Sequence, residues 1–387
     1  MTTLFVIDIL FLTRKVVKTT IFFVRDFFGK RRFLMENSSL MKKSYSRYAF
    51  SAIMFLVAAV IVQIFNNVVL GKILPQSFME SSIFSFLNII VPEYFVGFPI
   101  LIILIMLVFK MDKKAPEKNK FGFGKFIVVL FMMIGAVGVG AVIGAVVNYA
   151  IVLPFGVKFT DSNSLANLMS GSSAFWRILT VGILAPIVEE FIFRKFLIDR
   201  VVKYGEWVAI ITSGLMFGLF HGNFSQFFFA TLIGGIFAYV YIRTGKVWIT
   251  IVYHMILNLA TSVITTTLLG MVDYEAVAKY SEISKQVMAN PNDTALQAEM
   301  TEAMMASIPY LILSAWFIFI IFLALVGIVV WIIVLAKKKI NVQPTEAQVE
   351  KGMKYAWGNI GMILFIIGTV ALFIANYLMM ILPALKG

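Results

Sequence analysis

Apolar residues occur along this chain in long, nearly uninterrupted blocks separated by short polar or basic connections. A helix needs about 20 such residues to cross the hydrocarbon core of a bilayer. The pattern predicts nine spans, which cover 49–70, 94–109, 125–149, 173–194, 207–221, 224–242, 247–269, 308–336 and 358–382. The expected fold class is therefore all-α, a polytopic transmembrane helical bundle of about eight to nine spans.

Composition agrees with this pattern. Of the 387 residues, 60% are hydrophobic and 14% are charged, and the mean hydropathy is +0.93. These values exclude an ordinary soluble domain. The chain has no cysteine, so disulfides, thiolate metal sites and cysteine nucleophiles are also excluded.

The net charge of +13 follows the predicted membrane sides. Seven Lys/Arg lie in 25–47 and six lie in 110–125, whereas 71–93 has one and 270–306 has two beside six acidic residues. By the positive-inside rule, this alternation predicts a cytoplasmic N-terminus and nine membrane crossings. From composition alone, we expect the membrane to be a bacterial cell membrane. A basic inner face contacts anionic lipid, so no nucleic-acid partner is needed to explain the charge.

The chain divides into five predicted parts. The first part, residues 1–48, carries scattered charges that disfavour insertion, so we expect it to lie on the inner leaflet. The alternative is that the protein chain starts at Met35 or Met41. The parts are a basic amphipathic N-terminal segment (1–48), a two-span unit (49–110), a catalytic core (125–270), a polar loop (271–306) and a C-terminal two-span unit (307–387).

Glycines cluster in "GAVGVGAVIGA", residues 135–145. No strand precedes them, and they lie within an apolar span, so a phosphate-binding loop is excluded. The spacing of Gly140 and Gly144 instead predicts the close approach of a neighbouring helix.

The segment "VEEFIFRKF", residues 188–196, places two carboxylates at membrane depth. Each costs about 2.5–3.5 kcal/mol at the centre of a spanning helix. Glu190 and Arg194 are four residues apart and can form an ion pair on one helix face. Glu189 points about 100° away and has no such structural explanation.

The chain's only two histidines also occur at helical spacing from other motif residues, His221 after Phe217 and His254 before Asn258. If the spans turn near Tyr204, Glu189 and His221 lie 15 and 17 positions from the turn, so their depths differ by about 3 Å. His254 follows its own turn by eight positions, and its expected depth is about half as great, which conflicts with a shared site.

These residue types suit hydrolysis. A glutamate in apolar surroundings is a better base near neutral pH and, with a histidine, could activate a water for attack on a peptide carbonyl. A second histidine and an amide N–H would stabilise the oxyanion. The candidate catalytic residues are Glu189, His221, His254 and Asn258. Glu189, His221 and His254 could alternatively bind zinc, but no H-E-x-x-H motif occurs, and we favour a mechanism without a cofactor.

The three motifs "EEFIFR", "FGLFH" and "HMILN" resemble, in order and rough spacing, those of the CPBP intramembrane proteases. This family includes the type II CAAX prenyl endopeptidases and the Abi proteins related to bacteriocin self-immunity. The resemblance covers about residues 125–270. It implies that Glu189 and His221 activate the water, that His254 and Asn258 form the oxyanion hole, and that Glu190, Arg194 and Phe217 support the site.

We therefore expect an intramembrane endopeptidase that cuts a hydrophobic or membrane-associated peptide or protein, with prenylated CAAX substrates the least expected. A non-catalytic membrane scaffold or regulator is the leading alternative. It would bind a membrane protein partner, such as a sensor kinase or a bacteriocin complex. A proton or cation transporter is a weaker alternative, since the chain shows no clear pair of broken helices.

Overall fold

The computed structural model describes residues 35–157, 173–337, 339–345 and 347–385, and these residues form helices without any strand. The all-α helical bundle is thereby confirmed. The main helices are α1 (Met35–Ile73), α2 (Ser82–Val108), α3 (Phe123–Phe155), α4 (174–201), α5 (Glu206–Phe220), α6 (Phe224–Thr244), α7 (Val247–Leu269), α8 (Tyr274–Ala289), α9 (Thr294–Ala306), α10 (Ile308–Ala336), α11 (Gly352–Trp357) and α12 (Ile360–Ala384).

Seven of the described helices are long and apolar enough to cross a membrane. They are α1, α2, α3, α6, α7, α10 and α12. The two remaining predicted spans are the motif-bearing helices α4 and α5. Helix α4 carries too many charged residues to qualify by composition, and α5 has 15 residues, which is about 22 Å of helix and shorter than a hydrocarbon core of about 30 Å.

Residues 35–48 are helical and continuous with the first span. We assigned those residues to the N-terminal amphipathic segment. The rest of that segment, 1–34, lies outside the described residues.

The short helix α5 and its partner α6 form a tight hairpin at the centre of the bundle. Gly222 in the turn has a φ of +64°, which glycine adopts at no steric cost. Helix α3 packs closely against α6 at two glycines. A Cβ at Gly140 would overlap the backbone of Phe229, and one at Gly144 would lie 2.6 Å from the carbonyl oxygen of Phe224. The close helix approach predicted for these glycines is therefore between α3 and α6.

The predicted polar loop 271–306 is helical rather than irregular. Asp273 and Asp293 accept backbone hydrogen bonds at the N-termini of α8 and α9, which is a favoured capping arrangement. Lys279 on α8 pairs with Glu299 on α9 at 3.0 Å. The Glu299 carboxylate raises the pKa of Lys279 by this hydrogen bond and by its charge.

Two connections on the predicted inner side are fastened to the central helices by backbone hydrogen bonds. In the connection between α2 and α3, the backbone amide of Lys114 donates to the carbonyl of Asp199, and that of Asn119 donates to the carbonyl of Thr244. In the connection between α10 and α11, the amide of Val349 donates to the carbonyl of Tyr204 at 3.1 Å. These segments therefore lie across the inner ends of α4, α5 and α6.

Candidate active site

The two motif carboxylates lie on α4 between two wider turns. Residues Ala185–Glu190 are α-helical, while Ile178–Leu184 and Phe191–Phe196 are wound as π-helix. Such turns often accompany functional sites in helices, because they change the angular spacing of side chains. The expected ion pair is present: Arg194 Nε lies 3.1 Å from Glu190 Oε2, and both side chains are completely buried.

Aromatic rings hold the Arg194 guanidinium on two sides. Its central carbon is 4.7 Å from the centroid of Phe217 and 5.0 Å from that of Phe237. The same guanidinium donates a hydrogen bond of 3.3 Å to the carbonyl of Gly234. A buried cation therefore has an anionic partner, a carbonyl and two ring faces, which together offset the cost of its desolvation.

His254 on α7 joins the two adjacent glutamates. Its Nδ1 is 3.1 Å from Glu190 Oε1, and its Nε2 is 3.5 Å from Glu189 Oε2. The conflict over the depth of His254 is smaller than the sequence suggested, because α4 ends at Val201 rather than Tyr204. Counted from the helix ends, Glu189 and His254 then differ in depth by about 7.5 Å, which their side chains span.

The two glutamates differ in accessibility. The Glu190 side chain is 0% exposed and that of Glu189 is 22% exposed. Glu190 is thus enclosed by its two partners, whereas Glu189 presents part of its carboxylate to the space beside α4. The carboxyl group of Glu93 and the ring of Tyr94, both on α2, lie within electrostatic range of Glu189.

His221 lies at the C-terminal end of α5, in the turn before α6. Its Nδ1 is 2.8 Å from the carbonyl oxygen of Phe217. A carbonyl can only accept, so Nδ1 carries the proton and Nε2 of the neutral ring is an acceptor. Among the described residues, no hydrogen bond or ion pair joins His221 to Glu189. The Phe217 ring instead contacts both histidines, with centroids 4.9 Å from His221 and 5.6 Å from His254.

Asn258 lies one turn after His254 on α7. Its amide donates a hydrogen bond of 2.9 Å to the carbonyl of Val181 on α4. This bond fastens α7 to α4 close to the glutamates. An asparagine amide has two N–H donors, so the second is available to another acceptor.

The proposed zinc ligands are not assembled as a metal site. Among the described residues, no group of three His, Asp or Glu side chains has a metal-binding arrangement. A catalytic zinc needs three protein ligands within about 2.0–2.2 Å of the ion. In this arrangement His254 faces both glutamates, while His221 is held at Phe217. The residues as placed do not fit a three-ligand zinc centre.

Two residues of this site were missed in the sequence. Glu93 interrupts an otherwise apolar stretch, "VPEYFVG", and an ionisable residue at membrane depth is itself a signal for a functional site. Phe237 gave no signal of this kind, because one phenylalanine among 38 is indistinguishable from ordinary core.

Comparison with known proteins finds relatives for the region that holds this site. Residues 171–260 match the model of a family described as "Type II CAAX prenyl endopeptidase Rce1-like". Over 105 residues the chain is 30% identical to the Bacillus subtilis (strain 168) protein named "Putative membrane peptidase YdiL". That alignment covers 27% of this chain and 43% of the relative, which is less than half of its length. No solved structure matches the chain.

Proposed function

We propose that the chain is an intramembrane endopeptidase of the CPBP family, a proposal that starts from the match of residues 171–260 to the Rce1-like type II CAAX prenyl endopeptidases. Its substrate is a hydrophobic or membrane-associated peptide or protein. The observation that carries the proposal is the asymmetric glutamate pair on α4. Glu190 is fully buried against Arg194 and His254, while the neighbouring Glu189 is 22% exposed beside the same histidine.

The charges of this cluster favour a base that shares a proton with a histidine. Glu189 and Glu190 contribute two negative charges, and Arg194 contributes one positive charge. One proton shared between Glu189 and His254 makes the four residues electrically neutral, which low-dielectric surroundings favour. Glu190 fixes the orientation of His254 through Nδ1, so Nε2 is held toward Glu189.

Glu189 acts in this proposal as the general base for the attacking water. It takes a proton from the water, whose oxygen attacks the carbonyl carbon of the scissile peptide bond. The neutral His221 offers Nε2 as an acceptor on the same water. The proton that Glu189 took from the water passes to the leaving amine when the carbon–nitrogen bond breaks, which leaves a carboxylic acid and a free amine and returns the cluster to its starting charge.

The developing oxyanion needs hydrogen-bond donors. In this proposal the second N–H of Asn258 supplies one, and the Nε2–H of His254 supplies the other once Glu189 has taken a proton from the water and no longer accepts from that N–H. Since Asn258 is already held by Val181, its amide is oriented before substrate binds. No step uses a metal, and we expect a chelator to leave the rate unchanged.

The test compares the wild-type protein with Glu189→Gln and His221→Ala in nanodiscs, using a library of membrane-anchored peptides with and without a chelator. Glu282→Gln, at an exposed position of α8, is the matched control. We expect cleavage to fall by about 10²–10⁴-fold in both site variants, the range of a lost general acid–base group, and to persist in the control.

Cleavage that persists in folded Glu189→Gln protein would refute Glu189 as the base. Cleavage that stops on chelation would refute the metal-free mechanism. If the wild type cuts no peptide in the library and a cellular phenotype survives Glu189→Gln, the scaffold or regulator replaces the protease.

A further inference from the structure

A cavity of about 170 Å³ lies between the outer parts of α1, α2 and α4, apart from the glutamate cluster. Its polar lining comes from Gln63 and Asn67 on α1, Ser85 and Asn88 on α2, and Thr180 on α4. We propose that it is a subsite for an unwound polypeptide segment of the substrate, and that substrate reaches the glutamates from the outer side of the membrane. This inference rests on the proposed endopeptidase function.

The lining chemistry fits peptide groups. Asn66 donates to Asn88 at 3.2 Å, and Asn88 donates to Asn67 at 3.4 Å, so the cavity wall contains amides that both donate and accept. Unwinding a helical substrate frees backbone N–H and C=O groups, which need partners at membrane depth. All ten lining residues are uncharged, which disfavours an anionic phosphate headgroup as the occupant.

Exposure of the α1 amides points to a polar occupant. Gln63 and Asn67 are both exposed, on a helix face that is otherwise apolar. Asn67 accepts a hydrogen bond from Asn88 and donates one to the carbonyl of Gln63. An amide that faces hydrocarbon without a partner is costly, and the Gln63 amide is the one that a peptide seated between α1, α2 and α4 would pair.

The distance between the cavity and the glutamates is one that an extended peptide can cover. Helices α2 and α4 run side by side in the same direction, since Phe86 contacts Trp176 and Phe98 contacts Phe196. Thr180 precedes Glu189 by nine residues, which is about 13 Å along the helix. An extended chain advances about 3.3–3.6 Å per residue. The cavity would therefore hold a substrate residue about four positions from the bond that is cut.

The inner side of the same helices is less accessible. The connections that contain Lys114, Asn119 and Val349 are hydrogen-bonded across the inner ends of α4, α5 and α6. A substrate from that side would have to displace them. The seam between α2 and α4 requires no such displacement, which favours the outer route.

The absence of cysteine allows a direct test by disulfide crosslinking. Ser85→Cys, in the cavity, is compared with Ser314→Cys, an equally half-buried position near the outer end of α10 and outside the cavity, both in Glu189→Gln protein in nanodiscs. The probe is a synthetic peptide of about 22 residues, mostly leucine, with a central Gly-Gly and one cysteine placed at successive positions. We expect severalfold more crosslinking at Ser85→Cys, limited to a few peptide positions and reduced by cysteine-free peptide.

Equal crosslinking at both positions, or no competition, would overturn the subsite. Because this readout needs no cleavage, it separates the subsite from the proposed function, which fails only if Glu189-dependent cleavage is absent. A second variant, Gln63→Leu, tests cavity chemistry without breaking the Asn66–Asn88–Asn67 contacts. For a peptide that the wild type cuts, losing one hydrogen bond should raise KM about fivefold at constant kcat. Gln76→Leu, an exposed amide outside the cavity, is the control. An unchanged KM in Gln63→Leu would count against the subsite.

Discussion

Replacing Glu190 with glutamine removes the anionic partner of a fully buried cation. The Arg194 guanidinium keeps its aromatic neighbours and the Gly234 carbonyl, but it loses the charge 3.1 Å away. Nothing else in its immediate surroundings is anionic except the more distant Glu189. Glu190→Gln should therefore destabilise the fold itself, in addition to freeing the orientation of His254.

Two general magnitudes bear on the size of this effect. Breaking a buried ion pair by removing one partner costs about 3–5 kcal/mol. Hydrogen bonds between transmembrane helices average only about 0.6 kcal/mol, because the unfolded helices find other partners in the membrane. The larger value applies here, since the stranded group is a full charge at 0% exposure. We expect Glu190→Gln to lower the free energy of unfolding by about 3 kcal/mol, which is roughly a hundredfold change in the folding equilibrium constant.

The assay is denaturant unfolding in detergent micelles, followed by tryptophan fluorescence, for wild type, Glu190→Gln and the double variant Glu190→Met/Arg194→Met. The double variant removes both charges, so it should be more stable than Glu190→Gln. Glu299→Gln is the matched control, because it breaks an ion pair whose members are 51% and 46% exposed. Such surface pairs contribute about 0–1 kcal/mol.

The reasoning fails if Glu190→Gln unfolds at the wild-type midpoint or if it costs no more than Glu299→Gln. It also fails if the double variant is less stable than Glu190→Gln. Either result would mean that the aromatic rings and the carbonyl satisfy the guanidinium without the carboxylate.

Three further substitutions test packing and the network around the site. In Gly327→Ala, the added methyl would overlap the backbone of α3 and should cost about 1–3 kcal/mol, measured by the same unfolding assay, whereas a Cβ at Gly124 meets nothing within 4 Å and Gly124→Ala should be neutral. Phe217→Leu removes the ring that faces Arg194 and both histidines, and should lower kcat more than it lowers stability, as a joint cleavage and unfolding measurement would show. Asp199→Asn weakens a buried charge network and should cost about 1–3 kcal/mol, while the folded fraction keeps the wild-type cleavage rate per molecule.

The chain's hydrophobic pattern and spacing determined much of this protein without reference to tertiary structure. A span must satisfy its backbone within itself, so long apolar blocks have to be helices, and all nine predicted blocks are helical in the structure. Four-residue spacing brings side chains to one helix face, which placed Glu190 beside Arg194. The Gly140 and Gly144 spacing indicated a close helix contact, although the sequence did not identify α6 as the partner.

Only the tertiary structure decided which side chains meet between helices. Glu189 was expected beside His221, yet the residue that contacts it is His254, because contacts between helices depend on rotation, tilt and where each helix ends. The same packing brings Glu93 from a distant span toward the site and leaves Glu189 partly exposed while burying Glu190. Periodicity along one helix fixes the angles between its own side chains, but the orientation of one helix relative to another is set by all the side chains packed between them.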